Sequence, residues 1–259
     1  MDKLTIVKIG GNVIDSEEAL EKFVDGFAKL KGKKLLVHGG GAVASNLGKQ
    51  MGIKPNLVDG RRITDAETLK IVTMVYAGLI NKSIVAALQA KQCNAIGLSG
   101  ADGNTILAHK RIGTAIDYGF VGDIDKVDQK FLGTLIESGA IPVFSAITHD
   151  GKGTLLNTNA DTIARALAGA LASSYNVSLV YTFEKQGVLE DPEDDQSVIN
   201  ELNPANYEDY KASGAISGGM IPKLDNSFEA LEDGVKEVII TSLNYFKESS
   251  ALKTVMKLN

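Results

Sequence analysis

The sequence predicts an α/β fold in which a mainly parallel sheet is covered by helices on both faces. Short apolar runs of strand length alternate along the chain with segments whose apolar residues recur at helical spacing. Strands that are joined through helices form right-handed crossover units and therefore lie parallel in one sheet. No linker, low-complexity tract or internal repeat divides the 259 residues, so we expect one large domain or two lobes that share a sheet.

Each predicted element rests on a local pattern. Residues 4–9 form a continuous apolar run that ends in two glycines, which is typical of a buried strand. Asp15 and Ser16 precede two acids and therefore predict the start of a helix. Further strands are predicted at 34–37, 95–98, 141–145, 178–181, 235–240 and 254–256, with a hairpin at 149–157. Further helices are predicted at 42–51, 65–92, 129–138, 161–174 and 220–232, with short β segments between residues 102 and 125 and a surface loop at 190–197.

Composition and charge exclude several classes of protein. The net charge of −5 and the pI of about 5.3 do not favour non-specific binding to nucleic acids or to anionic membranes. We find no apolar run near the ~20 residues that a bilayer-spanning helix needs, and the N-terminus begins with a strand instead of a signal peptide. The single cysteine, Cys93, is expected to be a buried thiol in a reducing cytoplasm. The three histidines lie far apart, so no permanent metal site is expected.

Two consecutive predicted strands end in glycine runs. Lys8 occupies the end of the first strand and is followed by Gly10 and Gly11. His38 ends the second strand, and three glycines at 39–41 then lead into a helix. Glycines at the carboxyl ends of parallel strands let backbone N–H groups approach a phosphate closely. Lys8 either snorkels to solvent or meets an anion, and the two glycine runs together favour a site that approaches two anionic groups.

The second glycine run also fits a dinucleotide-binding pattern. Gly39, Gly41 and Ala44 satisfy Gly-x-Gly-x-x-Ala. Asp59 follows at nearly the sequence spacing of the acid that binds the ribose in such proteins. A dehydrogenase that binds NAD(P) therefore remains an alternative, although this fingerprint normally follows the first strand of its unit. The P-loop pattern Gly-x-x-x-x-Gly-Lys-[Ser/Thr] is absent from the sequence, as are the catalytic motifs of the protein kinases.

Three polar clusters supply further candidate residues. Arg62 lies in a loop before a helix, where it either binds a carboxylate through two hydrogen bonds or is a solvated surface arginine. Asp161 opens a helix, either as a simple N-terminal acid or as a group that orients lysines, and Asn157 and Asn159 precede it with amide donors. Lys223 stands near the start of another helix, where the helix dipole disfavours a cation unless an anion neutralises it.

The order of these motifs resembles the amino-acid-kinase family and, within it, the acetylglutamate-kinase branch of arginine biosynthesis. The resemblance covers nearly the whole chain, from residue 4 to residue 256. It rests on the motifs Lys8-x-Gly10-Gly11, His38-Gly39-Gly40-Gly41, Gly60-x-Arg62-x-Thr64, Gly97-Leu98-Ser99-Gly100-x-Asp102-Gly103, Phe120-Val121-Gly122, Asn157-x-Asn159-Ala160-Asp161 and Gly218-Gly219-Met220-Ile221-Pro222-Lys223. It implies a three-layer sandwich around a central, mainly parallel sheet. An N-terminal lobe at 1–172 would bind the acylglutamate and mediate dimerisation, and a C-terminal lobe at 173–259 would bind ATP.

The resemblance also implies a role for each matching residue. Lys8 and Lys223 correspond to the lysines that stabilise the transferring phosphoryl group, and Asp161 corresponds to the residue that positions both. The implied substrate-binding residues are Gly40, Gly41, Arg62, Asn157 and Asn159, and the implied nucleotide-binding residues are Gly10, Gly11, Thr182, Gly187, Ser217, Gly218, Gly219 and Met220. The expected reaction is ATP-dependent phosphorylation of the side-chain carboxylate of an N-acyl-L-glutamate, with N-acetyl-L-glutamate as the favoured substrate. It needs no general base, because the attacking group is already a carboxylate, and Mg²⁺ would arrive with ATP instead of occupying a protein cage.

The sequence departs from the family pattern near the expected nucleotide site. Family members usually show Thr/Ser-Asp-Val-x-Gly after the strand of the C-terminal lobe, whereas this chain has Thr182-Phe183-Glu184-Lys185-Gln186-Gly187, without the aspartate. Leu252-Lys253-Thr254 also replaces a usual Gly-Thr pair. Within the family, kinases of carbamate, aspartate, glutamate and uridylate are alternatives, and a binding protein that has lost catalysis is another. The sequence leaves the acyl group open between acetyl and a larger group such as succinyl.

The assembly is expected to be a homodimer on the resemblance alone. Arginine-inhibited members of the family carry an N-terminal helix that links dimers into a hexameric ring. Only Met1, Asp2 and Lys3 precede the first predicted strand, and three residues cannot form a stable helical turn. We therefore expect a homodimer with little or no inhibition by arginine.

Overall fold

The computed structural model of the chain describes residues 1–58, 61–248 and 251–258. Two residues of the sequence motifs lie outside this part. They are Asp59, the acid of the dinucleotide pattern, and Gly60, the first residue of the Gly60-x-Arg62-x-Thr64 motif.

The main sheet is mostly parallel and has β1 at its centre. In the described residues the strands are β1 (Lys3–Ile9), β2 (Lys33–His38), β3 (Leu57–Val58), β4 (Arg61–Arg62), β5 (Ala95–Leu98), β6 (Ile106–Lys110), β7 (Gly122–Val127), β8 (Ile141–Ser145), β9 (Ile147–His149), β10 (Leu155–Asn157), β11 (Asn176–Thr182), β12 (Glu201–Leu202), β13 (Glu237–Thr241) and β14 (Lys253–Met256). Eight of these described strands form the sheet in the order β12-β14-β13-β11-β1-β2-β8-β5. Every neighbouring pair is parallel except β13 with β14, which confirms the prediction of a mainly parallel sheet.

Helices form a layer on each face of this sheet. Over the described ranges they are α1 (Gly11–Ile14), α2 (Glu17–Lys29), α3 (Gly41–Gln50), α4 (Ala66–Thr73), α5 (Asn81–Ala90), α6 (Gln129–Glu137), α7 (Ala160–Ala172), α8 (Pro204–Ser213) and α9 (Ile221–Glu232). Helix α7 packs on β1, β2 and β11 and contacts α6 and α9 in one layer. Helix α2 packs against α5 and against the 3₁₀ turn Leu243–Phe246 in the other layer. The architecture is therefore the predicted three-layer sandwich.

The amphipathic pattern of α2 illustrates how the sequence builds this core. Ser16 caps the helix by accepting a hydrogen bond from the Ala19 N–H, as the cap-type residues predict. Phe23 and Phe27 lie on the buried stripe, and the Phe23 ring meets Phe246 edge-on with 5.1 Å between centroids. Burial of such aromatic side chains contributes about 1.5–3 kcal/mol each. Cys93, as expected, is also buried.

The π-helical segment, helix α8 and strand β12 differ from the sequence-based prediction. Helical structure from Ala66 to Ala90 confirms the predicted helix, but its central part, Met74–Ile80, is a π-helix. Helix α8 and the short strand β12 were not predicted at all. The predicted hairpin at 149–157 is present as the antiparallel pair of β9 and β10, which joins β6 and β7 in a small second sheet.

The helix Ala66–Ala90 corrects one expectation. Its length and composition are sufficient to cross a membrane, with a mean hydropathy of 1.7 over an 18-residue window, so the expectation that no segment approaches this limit is wrong. The core helix of a soluble protein passes the same test, and 44% of this window is buried inside the protein. Ile71, Ile84 and Leu88 on this helix are core residues, so the burial of the helix accounts for its apolar composition.

Candidate active site

An ion pair between Lys8 and Asp161 lies where the central strand ends and α7 begins. The Lys8 Nζ is 2.8 Å from the Asp161 Oδ1, and the two side chains are 13% and 29% exposed. The contact is an ion pair without an aligned hydrogen bond, because Asp161 Oδ1 is buried and has no hydrogen-bond partner in the structure. Asp161 is in the first turn of α7, where the helix dipole stabilises a carboxylate. The structure thus joins two residues that are far apart in sequence.

The backbones around this ion pair are held by β11. The Thr182 hydroxyl donates to the Lys8 carbonyl at 3.1 Å, and the Tyr181 hydroxyl donates to the Asp161 carbonyl at 3.4 Å. Burial raises the pKa of Tyr181, and the Asp161 charge acts in the same direction. An added Cβ on Gly10 would lie 2.8 Å from the Asn12 Oδ1, which is the end of a flexible side chain, and 3.4 Å from the Thr182 backbone carbonyl of β11. The first glycine run therefore packs closely against β11.

The second glycine run packs against the π-helix and Arg62. Gly40 has a φ of +149°, and an added Cβ would collide with the Ile80 Cδ1 and lie 3.0 Å from the Tyr76 Cδ1. The Arg62 Nη2 donates to the Gly41 carbonyl at 2.9 Å and to the Ser45 Oγ at 2.6 Å. These bonds use only part of the five donors of the guanidinium, so Arg62 retains donors for a ligand.

Asn157 and Asn159 have different positions in the structure. The Asn157 Nδ2 donates to the Thr64 Oγ1 at 2.9 Å, and that hydroxyl donates to the Arg62 carbonyl at 3.2 Å. Asn157 and Arg62 therefore belong to one hydrogen-bonded group. Asn159 is the N-cap of α7, and its Oδ1 accepts from the Asp161 N–H at 2.7 Å and the Thr162 N–H at 3.2 Å. Asn159 thus has a clear structural role in fixing the helix start that carries Asp161.

Lys223 stands apart from the Lys8–Asp161 pair. It lies in the first turn of α9, and its Nζ is 4.6 Å from the centroid of the Phe183 ring. Among the described residues no ion pair joins Lys223 to an acid. The turn Gly218–Met220 precedes α9, and an added Cβ on Gly218 or Gly219 would meet open space. The cation–π contact holds the Lys223 ammonium group over the Phe183 ring.

Two predicted nucleotide residues have structural roles as well. Thr182 is 1% exposed, and its hydroxyl is already donated to the Lys8 carbonyl. An added Cβ on Gly187 would lie 2.7 Å from the Val198 Cγ1 and 2.8 Å from the Thr254 Oγ1, so close packing requires glycine there. The structure therefore accounts for both residues without a nucleotide.

The sequence motifs missed several residues that shape the site. Ser45 donates to the Gly41 carbonyl at 2.9 Å and accepts from Arg62, and Tyr76 and Ile80 pack under Gly40. Burial raises the pKa of Tyr76, while the nearby Arg62 charge opposes that rise. The available signal for Ser45 was its position four residues after Gly41 on a helix, which returns its side chain to the glycine run.

An α/β sandwich with a lysine–carboxylate pair beside glycine runs, and a second lysine at a helix start, has cationic and backbone N–H groups of the kind that suit phosphorylated ligands. The chain belongs to the amino acid kinase family, whose sequence profile matches residues 3–242.

The relatives in this family are close and cover nearly the whole chain. The acetylglutamate kinase of Phocaeicola vulgatus is 55% identical over 99% of both chains. The acetylglutamate kinase of Cytophaga hutchinsonii is 59% identical over 93% of this chain and 91% of its own length. Among solved structures, the N-acetylglutamate synthase of Neisseria gonorrhoeae, complexed with coenzyme A and N-acetyl-glutamate, superposes with a TM-score of 0.82. At 19% identity, over 99% of this chain and 59% of that one, this last likeness concerns the fold alone.

Proposed function

We propose that this chain transfers the γ-phosphoryl group of ATP to the side-chain carboxylate of N-acetyl-L-glutamate, in the pathway of arginine biosynthesis. The observation that carries the proposal is the ion pair between Lys8, at the end of β1, and Asp161, in the first turn of α7, beside the glycine runs that follow β1 and β2. It occurs in a chain that is 55% identical, over 99% of its length, to a relative named acetylglutamate kinase. Close similarity over the full length makes the other family kinases less suitable candidates.

Catalysis of this reaction depends more on positioning the two substrates and neutralising the charge on the phosphoryl oxygens than on proton transfer. A carboxylate oxygen of the substrate attacks the γ-phosphorus, the bond between that phosphorus and the β,γ-bridging oxygen breaks, and ADP leaves with the electron pair. The product is an acyl phosphate. Charge builds on the transferring oxygens, where Lys8 and Lys223 would neutralise it, and Asp161 would fix the orientation of Lys8.

The amino-acid substrate fits the side of the site that carries Arg62. We assign the Gly40 and Gly41 N–H groups, the Arg62 guanidinium and the Asn157 amide as its donors, because Arg62 and Asn157 already share one hydrogen-bonded group. Asn159 would act mainly by holding the helix start. A guanidinium suits the α-carboxylate of the substrate, because its planar donors match two carboxylate oxygens.

ATP would occupy the side that carries Lys223. The backbone groups of Gly10 and Gly11, and those from Ser217 to Met220, are the proposed phosphate contacts, and the open space around Gly218 and Gly219 is compatible with a ligand. Residues 1–172 and 173–259 would then form the amino-acid lobe and the nucleotide lobe. Thr182 and Gly187 would support this lobe through packing.

Magnesium would enter as part of the ATP complex. The described residues contain no group of three or more His, Cys, Asp and Glu side chains that could hold a metal ion. Mg²⁺ usually keeps several waters and binds substrate phosphates with few protein carboxylates, which fits this donor set. The ion would supply charge neutralisation on the β- and γ-phosphate oxygens.

A homodimer in the cytoplasm is the proposed form of the enzyme. The strand β5 lies at one edge of the main sheet, and Ile96 on this strand is 37% exposed. Met74 and Leu79, on the π-helix that leads to the neighbouring α5, are 49% and 60% exposed. An uncovered edge strand beside exposed apolar side chains favours association with a second copy. Light scattering of the native chain and of Leu79→Lys would test this proposal, with a smaller mass expected for the variant.

A coupled assay of ADP release tests the proposed function. The panel would vary the amino acid and its acyl group: N-acetyl-L-glutamate, N-succinyl-L-glutamate, free glutamate, aspartate and carbamate, each with ATP and Mg²⁺. We expect ADP release with an N-acylated glutamate and none above background with the other acceptors. Absence of ADP release with every acylglutamate would contradict the proposal. Thermal stabilisation by NAD(P) but not by ATP and Mg²⁺ would instead support the dehydrogenase alternative.

A further inference from the structure

A buried histidine–asparagine pair lies directly behind the second glycine run. His38 is fully buried at the end of β2, and Asn81, the first residue of α5, is 1% exposed. The His38 Nδ1 is 2.9 Å from the Gly39 carbonyl, and its Nε2 is 3.1 Å from the Asn81 Nδ2. Neither residue has a part in the phosphoryl transfer described above.

The hydrogen-bond partners of Asn81 fix the tautomer of the histidine. The Asn81 Nδ2 donates to the Val143 carbonyl at 2.9 Å, and the Asn81 Oδ1 accepts from the Lys82 Nζ at 3.2 Å. An amide nitrogen only donates, so the His38 Nε2 must accept the second amide hydrogen. The proton of the neutral ring is therefore on Nδ1, which donates to the Gly39 carbonyl. Burial lowers the pKa of His38 to about 4, which keeps the ring neutral near pH 7.

This bond determines the direction of the next peptide group. The peptide bond is planar and trans, so the Gly39 carbonyl and the Gly40 N–H point in opposite directions. When His38 holds the carbonyl towards the core, the Gly40 N–H is turned outwards. In the part of the chain that the structure describes, neither the Gly40 nor the Gly41 N–H donates to a protein acceptor. An added Cβ on Gly39 would lie 3.8 Å from the Ala160 Cβ, which places this run beside the helix start that carries Asp161.

The π-helix supports the same peptide from another direction. Gly40 has a φ of +149°, and Tyr76 and Ile80 of the π-helix leave no room for a Cβ there. Asn81 follows Ile80 directly, so one continuous segment supplies both the apolar contact to Gly40 and the amide contact to His38. Single π-helical turns within α-helices are frequent at functional sites.

We propose that His38 and Asn81 are positioning residues that aim the Gly40 N–H at the oxygens of the substrate carboxylate and the transferring phosphoryl group. The inference rests on the proposed kinase reaction and extends it to two residues that touch no ligand. Asn81 sets the tautomer of His38, and the Nδ1–H of His38 then holds the Gly39 carbonyl. Because that peptide group is planar, the position of the carbonyl sets the direction of the Gly40 N–H. A neutral ring suits this role, because a proton on Nε2 would face the amide donor of Asn81.

The test compares two substitutions at position 38. His38→Phe keeps the ring shape and removes both hydrogen bonds, whereas His38→Asn places an amide donor near the position of the Nδ1–H. Loss of a preorganised oxyanion donor lowers rates by about 10²–10³, so we expect kcat to fall by about 10² in His38→Phe, with the KM for ATP within about twofold of the native value. His38→Asn should recover kcat to within about tenfold of the native enzyme.

A matched control separates positioning from folding. Ser145 pairs in register with His38 on the adjacent strand β8, and its buried hydroxyl bonds to the Leu98 carbonyl. Ser145→Ala should therefore lower the melting temperature without lowering kcat. If His38→Phe does not fold, Asn81→Ala serves in its place and should lower kcat about tenfold, because the ring loses the partner that sets its tautomer.

The outcomes distinguish this inference from the proposed function. A native kcat in folded His38→Phe would overturn the inference while leaving the kinase reaction intact. Equal losses of kcat in the Phe and Asn variants, each in step with a loss of melting temperature as for a purely structural residue, would also overturn it. If the native chain releases no ADP with any acylglutamate, it is the proposed function that fails.

Discussion

The two sides of the candidate site are built differently. On the side that carries Arg62, hydrogen bonds within the protein fix the polar side chains. The Arg62 guanidinium donates to the Gly41 carbonyl, and Asn157 donates to the Thr64 hydroxyl, which donates to the Arg62 carbonyl. On the side that carries Lys223, the residues Gly218 and Gly219 face open space, and Lys223 contacts the ring of Phe183. The polar groups of the first side are therefore preorganised by the protein, whereas fewer protein contacts fix the groups of the second side.

The ion pair of Lys8 and Asp161 is preorganised like the Arg62 side, because protein groups hold both of its members in place. Lys8 is 13% exposed and is held by a carboxylate at the start of a buried helix. Preorganised charges stabilise a transition state most, because they need no rearrangement when the charge develops. The difference between the two sides therefore predicts that variants of the ion pair affect the chemical step, and that variants around Phe183 have smaller effects.

The largest expected effect concerns Lys8 and Asp161. Lys8→Ala should lower kcat by about 10²–10³ and change the KM of the acylglutamate much less, because the lost charge contact acts on the transferring phosphoryl group. Asp161→Asn should also lower kcat strongly, because Lys8 loses the carboxylate that orients it. Steady-state kinetics with a coupled ADP assay measures both effects.

Lys3 provides a matched control for Lys8 because it lies on the same strand and is exposed. Lys3→Ala should retain the native kcat. A nearly native kcat in Lys8→Ala would contradict the mechanism, and a fully active Asp161→Asn would remove Asp161 from the site.

The next largest effect on kcat is expected at Lys223, on the side of the site that has fewer fixed protein contacts. Lys223→Ala should lower kcat by about 10² or more, because a charge near the transferring phosphoryl group is lost. The KM of the acylglutamate should change little, since Arg62 and Asn157 remain in place. Lys211→Ala, at a half-buried lysine that pairs with Glu208 and has no place in the proposed site, should leave kcat unchanged. Unchanged kcat in Lys223→Ala would mean that one lysine suffices for the transfer.

Arg62 tests the preorganised side through binding. Arg62→Lys should raise the KM of the acylglutamate about tenfold and leave kcat within a few-fold, because an ammonium group cannot reproduce a two-point carboxylate contact. Its neighbour Arg61 is exposed, so Arg61→Lys should leave the KM unchanged. If both variants have the native KM, Arg62 lies outside the substrate site.

Much of the fold followed from local patterns that the sequence displays directly. The strands β1, β2 and β8 are apolar runs of strand length, and their boundaries agree with prediction within one residue. Helix α8 was missed because only Tyr207 of its ten residues is buried, so it has no apolar stripe. The available signal was its start, where Asn203 caps the helix, Pro204 follows, and Asn206 completes a capping box.

The contacts within the candidate site could be predicted less well from local sequence patterns. The contact between Lys8 and Asp161 spans most of the chain, and only the resemblance to a family, not the periodicity, could place them together. The π-helix Met74–Ile80 was missed because its apolar spacing is also compatible with an α-helix. Its geometry depends on packing beneath Gly40, which is a tertiary contact. His38 was noted as the end of a strand and as part of a family motif, but its contacts were not predicted, because they depend on Asn81 far along the sequence.

The smallest expected effect lies at Phe183, the residue that follows β11 where family members usually have an aspartate. Its ring holds the Lys223 Nζ at 4.6 Å from the centroid, and a cation–π contact at a partly exposed site contributes about 0.5–1 kcal/mol. Phe183→Leu should therefore lower kcat by about two- to fivefold, because Lys223 samples more positions before transfer. Phe183→Tyr keeps a ring face and should match the native enzyme. An increase of kcat in the Leu variant would mean that Phe183 restrains Lys223 away from the phosphoryl group, and the ring would then belong to a resting arrangement of the nucleotide side.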